Sequence, residues 1–76
     1  MARRFSEKEF LKNVRLMLDL NSDHKYISDW VLEAYNLSIE WRDEVNDFAM
    51  DLIYLTEEGF EMTDGEIREK LNKLEK

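Results

Sequence analysis

Cysteine and proline are absent from the chain, glycine occurs twice and histidine once. Without cysteine there are no disulfides, no thiolate nucleophile and no sulfur ligand for a metal. The single histidine, His24, has no second histidine or cysteine to complete a zinc site with it, and reads as a surface turn residue that a carboxylate could partner. So little proline and glycine leaves too few turn residues for a sheet protein. No stretch approaches the roughly 20 apolar residues that cross a bilayer. The start, Met1-Ala2-Arg3-Arg4, is basic but leads into no apolar run, so it does not read as a secretory signal. These absences fit a cytoplasmic location.

What is present is charge and aromatic surface. The 76 residues are 43% hydrophobic and 38% charged, with two tryptophans, three tyrosines and four phenylalanines, too apolar for a disordered chain. That length makes one domain, which buries only about 60% of its unfolded surface. The net charge of −7 repels phosphates and argues against direct nucleic-acid binding. It makes a basic protein the natural partner, since opposite charge speeds encounter.

Most of the chain follows a helical period, which predicts an all-α single domain, a small three- or four-helix bundle over 1–76. Ser6 with Glu9 spells a capping box for the first helix, and Phe5 and Phe10 are placed for a hydrophobic staple. Phe10, Val14, Met17 and Leu18 form its apolar stripe, with Leu11 at the edge, and Asn21-Ser22-Asp23 ends it. The second helix starts near His24 to Tyr26, with Ser22 or Asp23 as candidate caps, and lines one face with Tyr26, Ile27, Trp30, Val31, Ala34 and Tyr35. Asn36-Leu37-Ser38 reads as a break, with Ser38 capping a third helix; one continuous helix to about Leu55 is the alternative. Gly59 reads as the left-handed cap that closes the third helix. Thr63 with Glu66, flanked by Met62 and Ile67, signals the last helix.

The segment Glu40 to Leu55 is two-faced. Glu40, Asp43, Glu44, Asp47 and Asp51 recur at steps of three and four, and Trp41, Val45, Phe48, Leu52 and Leu55 recur beside them. The second row predicts core. The first, with Tyr54 on its side, is the best candidate for a binding surface, because interface hot spots are enriched in tyrosine and tryptophan. Asp29 and Glu33, one turn apart on the second helix, are counted with that surface. The alternative is a solvated helix face.

Two acidic patterns point to metals and fall short. Asp19, Asn21 and Asp23 open like a calcium-binding loop, but its sixth and twelfth positions hold His24 and Trp30 instead of glycine and glutamate. The carboxylates at 40, 43, 44 and 47 are of the type that holds magnesium. Glu44-Val-Asn-Asp47 resembles the second metal motif of the all-α nucleoside triphosphate pyrophosphohydrolases, yet the E-x-x-E those enzymes carry upstream is missing, Asp29 and Glu33 being four apart. No catalytic residue, cofactor or metal is therefore assigned.

One further pattern concerns a family. Asp51-Leu-Ile-Tyr54, then Glu58-Gly59, then Gly65-Glu66-Ile67 resembles the D-L-I-Y-Y-P-x-E-G…S-G-I/V segment of the immunity proteins of nuclease colicins and pyocins. Ser6-Glu-Lys-Glu-Phe10-Leu11 resembles their T-E-x-E-F-L opening. The resemblance implies a small acidic four-helix bundle that binds and inhibits a basic nuclease toxin, with Asp51 and Tyr54 as the shared anchor. The chain departs from the pattern where the second tyrosine is Leu55, the proline is Thr56 and the H-P-S-G approach is missing.

The expectation is a non-enzymatic protein-binding module, monomer or weak homodimer, that meets a basic partner through Asp29, Glu33, Glu40, Asp43, Glu44, Asp47, Asp51 and Tyr54. A phage or bacterial accessory protein that acts on a cellular machine by mimicking nucleic-acid charge is a further, generic possibility. A self-associating structural helical protein and the metal-dependent pyrophosphohydrolase are the alternatives.

Overall fold

The computed structural model describes residues 5–75, with the backbone alone at 5, 38 and 39. The N-terminal segment Met1–Arg4 and the Phe5 side chain of the expected staple lie outside the described residues. The order is β1 (Phe5–Ser6), α1 (Glu7–Asp19), α2 (His24–Asn36), β2 (Ser38–Ile39), α3 (Asp43–Ile53) and α4 (Asp64–Leu74). Four helices make the all-α bundle. The two strands are a two-residue parallel ladder, Phe5 opposite Ser38 and Ser6 opposite Ile39.

Helix ends follow local chemistry. The Glu9 N–H donates to the Ser6 hydroxyl at 3.2 Å, and the hydroxyl donates to the Glu9 carboxylate at 3.4 Å. The end of α1 is a Schellman motif. Asn21 sits at φ 54°, its N–H donates to the Leu18 carbonyl, and the Ser22 N–H donates to the Met17 carbonyl. Of the two candidate caps for α2, Asp23 is the one used, accepting from the Lys25 N–H. At α4 the capping box is complete: the Glu66 N–H donates to the Thr63 hydroxyl at 3.2 Å and the Thr63 N–H to the Glu66 carboxylate at 3.1 Å.

The break between α2 and α3 is real but longer than expected, and Ser38 is not the cap. Its backbone belongs to β2, and Arg42 holds the N-cap position of α3 with no side-chain capping bond. Glu40, at φ 51°, turns the chain into a left-handed step. Trp41 therefore enters the core from a linker and not from a helical turn, stacking on Phe10 with centroids 4.4 Å apart. Gly59 is left-handed as expected, φ 89°, but lies six residues past the end of α3. It is the third residue of a turn closed by the Phe60 N–H donating to the Glu57 carbonyl, where positive φ favours glycine.

The core is continuous, from Phe10, Val14 and Leu18 through Ile27 and Val31 to Val45, Phe48, Leu52, Leu55, Ile67 and Leu71. Tyr26, expected to face it, is 58% exposed. The buried arc of α2 is displaced toward Ser28, because α2 packs against α3 on that side. The Ser28 hydroxyl donates to the Ile53 carbonyl, one of the four carbonyls that the last turn of α3 cannot satisfy internally. Ser28→Ala is expected to cost about 1–3 kcal/mol, since it strands that carbonyl. Urea unfolding checks this; a midpoint equal to that of the wild type would remove the capping role.

Candidate functional site

On α3, Val45, Phe48, Ala49 and Leu52 face inward. The opposite face carries Asp43, Asp47, Met50 and Tyr54 at steps of four, three and four. That places them in one row, about 17 Å long at 1.5 Å per residue. Tyr54 ends the row at the C-cap position. Phe60, from the following loop, extends it: its ring lies 5.8 Å from that of Tyr54, tilted by 40°. Met50, Tyr54 and Phe60 are 37%, 44% and 58% exposed, so the row has an acidic half and an apolar half.

The carboxylates of α3 differ in what they already hold. Asp51, on the flank toward α4, accepts from the Lys70 ammonium at 3.2 Å. Among the described residues, Asp43, Glu44 and Asp47 carry no ion pair, and all three are exposed. Asp43 and Glu44 occupy the first turn of α3, where the helix dipole favours negative charge. Asp47 lies a turn further in and stands one turn from both Asp43 and Asp51, like-charge spacings that cost about 0.2–0.5 kcal/mol each. Glu57, Glu58 and Glu61 are exposed on the loop that carries Phe60.

Two of the expected site residues, Glu44 and Asp51, lie about a quarter turn off this row, and three lie outside α3. Glu40 is exposed but precedes α3, because the helix begins three residues later than the periodicity implied. Asp29 and Glu33 are on the outer face of α2, opposite Ile27 and Val31, with Asp29 bound to Lys25 at 3.4 Å. Phe60, conversely, was not foreseen. Its signal in the sequence was faint: a large apolar residue in a charged loop, directly after the glycine that turns the chain back toward α3.

Other polar groups are engaged in holding the bundle. The Asp19, Asn21, Asp23 triplet is one such set: Asp19 pairs with Arg68 at 2.9 Å, Asn21 closes the Schellman motif and Asp23 caps α2. His24 is no free turn residue; it is half-buried, with Nε2 2.7 Å from the Asp64 carboxylate, and joins the N-terminus of α2 to that of α4. Arg42 joins three elements. Its backbone N–H and its Nε both reach the Glu7 carboxylate, and its Nη2 donates to the Leu74 carbonyl at 2.9 Å. Among the described residues, no group of three histidine, aspartate or glutamate side chains is placed to hold a metal ion. No helix among them is long and apolar enough to cross a membrane.

No protein-family model matches the chain, and no curated protein or solved structure does.

Proposed function

We propose that the chain is a non-enzymatic interaction protein whose α3 face binds a basic protein partner. The observation that carries this is the row itself. Exposed Met50, Tyr54 and Phe60 supply apolar area for an anchor, and Asp43 and Asp47 continue the same row without a cation among the described residues. A partner with lysine or arginine around an apolar centre complements both halves, and the apolar half decides affinity while the charges set orientation and encounter rate. In its most specific form the partner is a basic nuclease toxin and the chain its inhibitor. The four-helix architecture and the Asp51–Tyr54 resemblance to bacteriocin immunity proteins support that form.

The test is capture from a lysate of the source organism by wild type and by Asp51→Ala/Tyr54→Ala, side by side. The expected result is a basic protein, with nuclease activity that the chain suppresses, held by wild type and lost by the variant while circular dichroism shows both folded. Equal capture by both, or loss in step with unfolding, removes the reading.

A second reading, self-association, has its own observation. Leu16, Leu20 and Tyr26 are exposed together around a groove at the α1–α2 corner, backed by half-buried Trp30 and lined by no charged residue. A second copy brings the same uncharged groove, so two copies meet there without placing charged side chains of the groove against each other. Sedimentation equilibrium should then show a dimer that Leu20→Glu dissociates. A monomer at all concentrations removes this reading.

A further inference from the structure

We propose that the cleft between α1 and the C-terminal end of α4 binds a small carboxylate with an aliphatic body. The cleft has a volume of about 660 Å³, within the roughly 300–1,000 Å³ typical of small-molecule sites. Its floor is apolar, made by buried Leu11 and half-buried Leu74. Its rim gathers Lys8, Lys12, Arg15 and Arg42, four of the eight lysines and arginines among the described residues, on a chain whose net charge is −7.

The four cations fall into two pairs with different duties. Arg15 and Arg42 are walls. Arg15 Nε lies 3.1 Å from the Glu75 carboxylate and its Nη2 donates to the Asn72 side chain at 2.6 Å. Arg42 is held by Glu7 at 2.8 Å and by the Leu74 carbonyl. These bonds neutralise the two carboxylates of the cleft, Glu7 and Glu75, and fix its shape. Lys8 and Lys12 are exposed, one turn apart on the same face of α1, and carry no ion pair among the described residues. Two like charges at that spacing repel, and an anion between them removes the repulsion.

The chemistry of the ligand follows from this division. Two uncompensated cations match one carboxylate or a dianion, whereas a polyanion would meet the acidic remainder of the surface. The leucine floor takes an alkyl chain, each buried methylene contributing to affinity. None of these residues belongs to the α3 row, so the proposal stands or falls independently of the protein-binding reading.

The experiment is a ¹H–¹⁵N correlation titration of the full chain with octanoate, with octylammonium as the same body of opposite charge. Octanoate should give saturable shifts at the amides of Lys8, Leu11, Lys12, Arg15 and Leu74, and octylammonium none. Lys8→Glu/Lys12→Glu should weaken octanoate by about ten-fold or more. Lys8→Arg/Lys12→Arg, which keeps the charge, should retain binding and shows that substitution at these exposed sites leaves the fold intact. The proposal is overturned by octanoate shifts that do not saturate, by shifts centred on Leu16, Leu20 and Tyr26, by equal binding of octylammonium, or by an unchanged affinity in the glutamate variant.

Discussion

Phe10→Ala is expected to lower stability by about 3–5 kcal/mol, against a total of roughly 4–11 kcal/mol for a chain this short. Phe10 is fully buried, and its ring meets Trp41 at 4.4 Å, Trp30 at 6.0 Å and Phe48 at 6.3 Å. Those neighbours come from the α2–α3 linker, α2 and α3 in turn, so one α1 side chain ties down three other segments. The cost of a large-to-small change depends on whether the hole can collapse. Here its walls are rigid rings anchored in different elements, with Trp41 further held edge-on by Tyr35, so collapse would require several segments to move together. At about 4–8 °C per kcal/mol, thermal unfolding should shift by at least about 12 °C. Thermal and guanidinium unfolding followed by circular dichroism measure it. A loss below about 1.5 kcal/mol would show that the bundle repacks around the hole and that the aromatic cluster is not its centre.

The second large effect concerns binding and leaves the fold in place. Tyr54→Ala is expected to weaken the proposed basic partner by about 2 kcal/mol or more, close to thirty-fold. Tyr54 is the middle of the apolar half of the α3 row, with Met50 before it and Phe60 against its ring. Removing it takes away anchor area and leaves Phe60 without its neighbour. Its half-exposed ring contributes little to the core, so the melting temperature should change much less than in Phe10→Ala. Asp47→Ala should weaken binding mainly through a slower association rate, and the difference from wild type should shrink as salt rises. Asp51 behaves differently because Lys70 already holds it, in a pair exposed enough to contribute only about 0–1 kcal/mol to stability. Asp51→Ala should therefore cost binding less than Tyr54→Ala, unless the partner's cation displaces Lys70. Calorimetric titration of the captured partner with the three variants separates these cases. Equal affinities for wild type and Tyr54→Ala would move the binding surface off α3. An Asp51→Ala effect as large as that of Tyr54→Ala would favour the immunity-type anchor over a general acidic face.

Ser6 and Thr63 were legible as caps, and Asp23 as one of two candidates, because capping is a local event: a side-chain oxygen reaches an N–H two or three residues away, and tertiary packing has little part in it. The apolar rows Phe10–Val14–Leu18 and Val45–Phe48–Leu52 were legible because a helix that buries one face must repeat at its own period. The same periodicity carried the third helix too far at both ends. Trp41 and Leu55 are buried as the pattern demanded, but each is delivered by irregular backbone, which a hydrophobic repeat does not distinguish from a helical turn.

By itself, then, the sequence determined the all-α class, most of the helix caps, the buried rows and the acidic outer face of α3, all consequences of interactions within a few residues, while the count of four helices came from the fold. Tertiary structure decided which carboxylates stay without a cation. Lys70 reaches Asp51 across 19 residues of chain and Arg42 reaches Glu7 across 35, pairings that depend on how helices cross. It also decided that Phe60 lies on Tyr54, that His24 meets Asp64, and that Lys8 and Lys12 overlook a leucine-floored cleft. None of these follows from spacing along the chain, because each depends on the distance between elements that only the folded core brings together.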